Sequence, residues 1–373
     1  MNRRSVLRIG VAAAAMGPLR GRTAGNPITP AGMRRIATEE AFTVPAVAEA
    51  LSNVVATRTM PSLELELLKM IYGPTSRTEQ GARLLRQLLS LDDERLEMMD
   101  ESGVSMHVTS LTAPGVQMFD ADTATELARL ANDLQAEAIG RHPERLAGLA
   151  SMAPHSPRRA AREMERAING LGLNGFVINS HTNGEYLDDP KFWPLFEAAE
   201  GLDRPIYIHP RAPSQGMAAP FSSYGMEAAM WGYAMETGTH ALRLMLNGVF
   251  DQFPRLQIVL GHMGEGIPYW LTRIDHFHGI MMARGRTPKT ELKPSEYFRR
   301  NFAITTSGME SPEVLDFCIK VLGVENVMWA IDYPYQATPP AVAFMDGADL
   351  PVEQKALVYH GNAERIFGID TDD

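Results

Sequence analysis

Short apolar runs alternate along the chain with longer segments whose apolar positions recur at helical spacing. The runs predict strands at Arg35–Glu39, Met106–Ser110, Leu146–Met152, Gly175–Asn179, Ile206–His209, Gln257–Gly261, Phe302–Thr305 and Val327–Ile331. Helical spacing predicts helices over Asp122–Arg141, Pro157–Ile168, Lys191–Glu200, Thr237–Phe250, Pro312–Leu322 and Pro351–Phe367. Strands that are mostly followed by helices imply an α/β fold closed into a parallel (β/α)8 TIM-like barrel. An open doubly wound sheet is the rival. It is disfavoured because no glycine-rich phosphate loop follows the first strand.

Two connections exceed ordinary loop length. Residues 43–91 separate the first strand from the approach to the second, and residues 210–236 follow the fifth. At the catalytic mouth of a barrel such insertions line or cover a pocket. The second is rich in Met, Gly and aromatic residues, which equally suits a subunit interface in a homo-oligomer, a dimer or tetramer.

Residues 1–32 have a different character. Arg3 and Arg4 precede a short, weakly apolar stretch, and no acidic residue occurs before Glu39. This is the pattern of a twin-arginine export signal, which predicts a periplasmic protein whose single domain spans 33–373. A start near Met33 would make it cytoplasmic instead. The apolar stretch is too short to cross a bilayer, so stable membrane insertion is not expected.

Composition narrows the possible functions. Among 373 residues, 45% are hydrophobic and 21% charged, as in ordinary globular enzymes. The formal net charge of −10 makes nucleic acid an unexpected partner. One cysteine, Cys318, excludes an internal disulfide framework, and its place in VLDFCIKVL suits a small buried hydrophobe.

The chemistry lies at the strand ends. RRIATEE stops at Glu39 and Glu40, PIYIH at His209, QIVLGH at His262 and VMWAID at Asp332. A titratable group ending a buried apolar run needs a partner or a metal. A barrel brings the carboxyl ends of its strands together, so these residues predict one shared site. Two carboxylates and one imidazole suit Zn²⁺, Mn²⁺ or Mg²⁺, and three protein donors leave positions open for catalysis. Adjacent strand residues face opposite ways, so only one of Glu39 and Glu40 can serve, and spacing leaves the choice open. His262 and Glu265, in GHMGE, can form an acid–base pair beside the metal.

The segments RIATEEAF, NSHTNGEYLDD, YIHP, ETGTHALRLMLNGVFDQFP, GHMGEGIPYWLTRID, DYPYQ and NAERIFG resemble the amidohydrolase superfamily. Within it, they resemble most its metal-dependent decarboxylases of hydroxylated benzoates, above all those acting on 5-carboxyvanillate, with the gamma-resorcylate and 2,3-dihydroxybenzoate enzymes as further kin. The resemblance implies an amidohydrolase-type barrel and a carboxy-lyase of aromatic catabolism that takes a small aromatic acid. It implies Glu39, His209 and Asp332 as donors to a single ion, Mn²⁺ with Zn²⁺ as the alternative. Hydrolases of the superfamily commonly open with His-x-His, whereas here Ala41 stands at the second position.

The same resemblance implies catalytic roles for Asp332, His262 and Glu265, with Asp332 as the proton donor or His262 in its place. Arg77 and Arg273 match carboxylate-binding arginines, although spacing alone makes both surface residues. Tyr335, Asn179 and His181 are candidate pocket residues, while Trp231 and Trp270 suit core or interface. The competing readings are a mononuclear hydrolase of C–O or C–N bonds and a non-catalytic metal- or solute-binding protein. A pair of arginines facing the metal would favour the decarboxylase.

Overall fold

The computed structural model describes residues 32–58, 62–73 and 78–370. The proposed leader and Arg77 therefore lie outside the described residues. Among the described residues, eight parallel strands form one sheet in strictly sequential order. They are β1 (Ile36–Phe42), β2 (Met106–Leu111), β3 (Leu146–Ser151), β4 (Gly175–Asn179), β5 (Ile206–His209), β6 (Ile258–Leu260), β7 (Phe302–Thr305) and β8 (Val327–Met328). The chain beyond β8 returns to β1, where the Thr38 amide donates to Trp329 O at 3.2 Å and the Ala41 amide to Tyr333 O at 2.7 Å. These bonds close the barrel.

The expected strands match closely, with β4, β5 and β7 agreeing to the residue. The expected eighth strand keeps only Val327 and Met328 in the ladder, because the residues after it turn toward β1 by other bonds. The helix expected over Thr237–Phe250 is two, Gly232–Leu246 and Val249–Gln252, broken at Gly248, whose φ of 78° no continuous helix accommodates. The one expected over Pro351–Phe367 passes through a π-helical turn at Leu357–Gly361.

Strand alternation separates two apolar regions. Ile36, Val108, Leu149, Val177, Val259 and Ala303 fill the barrel interior, which Ile366 and Phe367 of the Asn362–Phe367 helix stopper from below. Outward residues such as Ile206, Ile208, Ile258 and Ile304 pack against the surrounding helices. The 43–91 insertion is helical: α1 (Pro45–Thr57), α2 (Leu63–Tyr72) and α3 (Glu79–Leu89). Leu65 and Leu68 of α2 bury against the α1 residues Val47 and Leu51, which sets the insertion over the mouth of the barrel. No helix among the described residues is long and apolar enough to cross a membrane.

Candidate metal centre

Ligand atoms of Glu39, His209 and Asp332 lie within 4.8 Å of one another at the carboxyl ends of the strands. Strands β1, β5 and the chain after β8 deliver them. Tyr207 and His209 lie two apart on β5, so both point inward. The Tyr207 hydroxyl donates to Glu39 Oε2, and so does the Thr305 hydroxyl of β7 at 3.0 Å. With Oε2 occupied twice, Oε1 is left buried without a hydrogen-bond partner, 3.4 Å from His209 Nε2. The His209 Nδ1–H donates to Pro210 O at 2.8 Å, leaving Nε2 as an acceptor. Burial lowers the His209 pKa and favours the neutral ring.

The donors fit a divalent cation. A buried carboxylate oxygen with no partner is costly unless a cation meets it. Burial first, then the nearby Glu39 charge, push the Asp332 carboxyl well above the usual range. Holding both carboxylates ionised beside one imidazole is therefore unfavourable unless a cation joins them. Asp332 also has φ 75°, an uncommon conformation for a residue with a side chain.

The GHMGEG segment supplies the neighbouring acid–base pair. His262, Met263, Gly264 and Glu265 all have positive φ, forming a tight left-handed turn where β6 ends. This turn brings His262 Nδ1 to 2.9 Å from Glu265 Oε1 and leaves Nε2 4.0 Å from Glu39 Oε1. Burial opposes a charge on His262, but Glu265, Glu39 and Asp332 together outweigh it and push the imidazole up to about 10. Gly261 has a separate purpose: a Cβ there would lie 2.6 Å from Glu39 Oε2. Only glycine leaves room for that carboxylate.

Above these groups opens a cavity of about 540 Å³. His209, His262, Asp332 and Tyr335 reach it from the barrel, and Leu68, Ile71 and Leu84 come from the insertion. The Tyr335 hydroxyl lies 2.6 Å from Thr112 Oγ1. Arg211 is buried and joined to Glu64 on the cavity wall, Nε to Oε2 at 2.7 Å, so this cation is already neutralised.

Other candidates stand apart from this cavity. Arg273 is exposed on the Ile267–Ala283 helix, stacks on Phe277 at 4.8 Å and lines a separate cavity with Trp270. Helical geometry accounts for this, since Arg273 and Phe277 are four residues apart and share the outer face. His181 spends both ring nitrogens on Ala212 O and the Gly184 amide, so it serves its own loop. Asn179 is buried at the end of β4, its backbone fixed by Gln117, with Oδ1 unpartnered. Trp231 and Trp270 are about half exposed. Cys318 is buried and free.

The strand pairing settles the choice between Glu39 and Glu40 that alternation alone leaves open. The pairing of β1 with β2 slips by one residue between Ala37 and Glu40, and this bulge re-aims both glutamates. Glu39 enters the donor set, while Glu40 lies along the seam toward the chain beyond β8. Burial pushes the Glu40 carboxyl up to about 7 despite its amide donors and the nearby Arg95. Tyr207 and Thr305 were not singled out by sequence, although a tyrosine two residues before a strand-end histidine is a usable signal.

A parallel barrel with a mixed carboxylate–imidazole donor set at its carboxyl mouth defines a class of mononuclear metal-dependent enzymes. The amidohydrolase family model matches residues 86–369. The crystal structure of 5-carboxyvanillate decarboxylase from Sphingomonas paucimobilis is similar with a TM-score of 0.88 and 54% identity, covering 91% of this chain and all of that one. The 5-carboxyvanillate decarboxylase of Novosphingobium aromaticivorans, complexed with manganese and 4-hydroxy-3-methoxy-5-nitrobenzoic acid, gives 0.87 and 37% over 90% and 96% of the two chains. The gamma-resorcylate decarboxylase of Polaromonas sp. is 35% identical over 295 residues, 77% of this chain and 90% of that protein. The chain belongs to the amidohydrolase family, on the branch of hydroxybenzoate decarboxylases, and is a carboxy-lyase.

Proposed function

We propose that the chain catalyses the non-oxidative decarboxylation of an ortho-hydroxylated, methoxy-bearing benzoate of the 5-carboxyvanillate kind, with Mn²⁺ held by Glu39, His209 and Asp332. The observation that carries this reading is the convergence of those donors at the floor of a largely apolar cavity. Its volume suits a ring-sized ligand. The similarity to two decarboxylases of 5-carboxyvanillate supports the substrate, and the manganese complex of one supports the metal. These relatives favour carbon–carbon cleavage over the hydrolytic alternative.

A divalent ion held by Glu39, His209 and Asp332 would supply positive charge that favours the ionised phenol. The protein must then deliver a proton to the ring carbon bearing the carboxylate. The bond to the carboxyl carbon breaks, its electron pair returns to the ring, and CO₂ leaves. Asp332 lines the cavity and is assigned that delivery. His262, kept protonated by Glu265, stands beside it as the alternative donor or relay.

Arg77 is assigned to the substrate carboxylate. Its neighbour Thr78 lines the cavity, and a guanidinium meets a carboxylate with two parallel bonds. Arg273 has no such place within one chain. Tyr224, Met230 and Trp231 in 210–236 and Tyr269 and Trp270 on the helix carrying Arg273 are exposed. We infer that these surfaces are covered in a homo-oligomer.

The test is CO₂ release by metal-analysed protein from a panel of ortho-hydroxybenzoates. Release from 5-carboxyvanillate and its near analogues is expected. Hydrolysis of a lactone or amide with no CO₂ from any member of the panel would overturn the proposal.

A further inference from the structure

Glu40 is completely buried beside the donor Glu39, yet stays outside the donor set. Its carboxylate reaches across the barrel seam. Oε1 accepts from the Ile331 amide at 3.0 Å, and Oε2 accepts from the Tyr333 amide at 2.9 Å. The residue between those two amides is Asp332. A longer contact, from the Glu39 amide to Oε1 at 3.4 Å, ties the same carboxylate to the other donor's backbone.

A regular parallel ladder would give such amides to carbonyls of the neighbouring strand. Here β8 leaves the ladder after Met328, and a side chain takes the carbonyls' place. The need is specific. Asp332 has φ 75°, a conformation that persists only where its surroundings impose it. Fixing the amides on both sides of one residue constrains the backbone that sets its side-chain direction.

Two amides converging on one group require two acceptors. A carboxylate has them, whereas a carboxamide offers one oxygen and presents N–H groups to the other amide. Arg95 lies near Glu40, close enough for its charge to act on that carboxyl. Its own donors go to Ser90 O at 2.8 Å and Ala41 O at 2.6 Å, and its guanidinium lies 4.9 Å from the centre of the Tyr333 ring.

We propose that Glu40 is a positioning residue: its carboxylate clamps the amides of Ile331 and Tyr333 and thereby aims Asp332 into the metal site. This rests on the reading of Asp332 as a metal donor. Glu40 itself touches neither substrate nor metal.

The test compares wild type with Glu40→Gln, Asp332→Asn and the double variant. Mn²⁺ affinity is read from the free-ion signal in electron paramagnetic resonance, and melting is followed on the metal-free proteins. Glu40→Gln is expected to weaken Mn²⁺ binding by about 10- to 100-fold, the range seen when a group supporting a metal ligand is removed. In the Asp332→Asn background the same change is expected to add little, because its effect passes through that side chain. A lower melting temperature with Mn²⁺ affinity within about twofold of wild type would mean that Glu40 is merely structural, and would overturn the proposal. Wild-type affinity in Asp332→Asn would instead overturn the donor reading, and this inference with it. If Glu40→Gln yields no folded protein, Glu40→Asp takes its place; it keeps the charge but withdraws it by one methylene, and is expected to show the same loss of Mn²⁺ affinity.

Discussion

At the scale of single residues, the centre depends on which lone pairs remain free. Glu39 has one oxygen saturated by the hydroxyls of Tyr207 and Thr305 and the other bare. Tyr207→Phe removes a donor and almost no volume, so the fold is expected to survive. Glu39 then keeps only Thr305, and its carboxylate gains freedom to rotate. Mn²⁺ affinity is expected to fall about tenfold, the lower end for loss of a supporting hydrogen bond, measured by titration against a chelator. Unchanged affinity would mean that packing alone orients Glu39. The phenol has no easy alternative role: burial and then the adjacent Glu39 charge hold its pKa well above the usual value, which keeps it protonated and a donor.

At the scale of elements, the GHMGEG turn links backbone geometry to chemistry. Gly264 has φ 77°, and a Cβ there would lie 3.0 Å from Ile304 Cγ2 and 3.2 Å from Pro268 Cδ. Gly264→Ala would strain the turn and press on the β7 wall, for a loss of about 1–3 kcal/mol in stability. Activity is expected to fall further than stability, because the turn sets the 2.9 Å contact between His262 and Glu265. A variant destabilised in chemical denaturation but with normal turnover would show the turn to be scaffolding only.

The strands were legible because buried parallel strands are short apolar runs, and their terminal ligands stand out against that background. Glu39, His209 and Asp332 therefore stand out as candidates in the sequence itself. Hydrophobic pattern alone leaves the Glu39–Glu40 choice open, since it depends on a one-residue slip against β2; the family resemblance is what implies Glu39. Arg273 shows the converse. Its motif suggests a site residue, but helical phase puts it on an outer face with Phe277. His181 looks like a pocket residue in sequence, yet its ring is used up by Ala212 and Gly184. Local hydrogen bonding of that kind cannot be read from spacing.

At the scale of the whole molecule, exposed aromatic side chains bear on assembly. Tyr224 is 90% exposed and Tyr269 74%, and exposed apolar side chains mark an interaction site where they form a contiguous patch. Sedimentation is expected to give a dimer or tetramer. Trp231→Glu together with Trp270→Glu, which set charge on exposed apolar surface, are expected to shift it toward monomer. A wild type that sediments as a monomer at micromolar concentration would refute the inference. Turnover measured on the dissociated variant would show whether one chain suffices for catalysis.

The stopper beneath the barrel bears on how the enzyme comes to be charged with its ion. Ile366 and Phe367 seal the floor under strands that start as far back as Ile36, and Asp332, the last of the proposed metal donors in chain order, follows the eighth strand. A growing chain on the ribosome has neither a dry interior nor a finished coordination shell. An ion held by Glu39, His209 and Asp332 would therefore be captured only once β8 and the chain beyond it are in place, and its identity would answer to the metals present where folding ends.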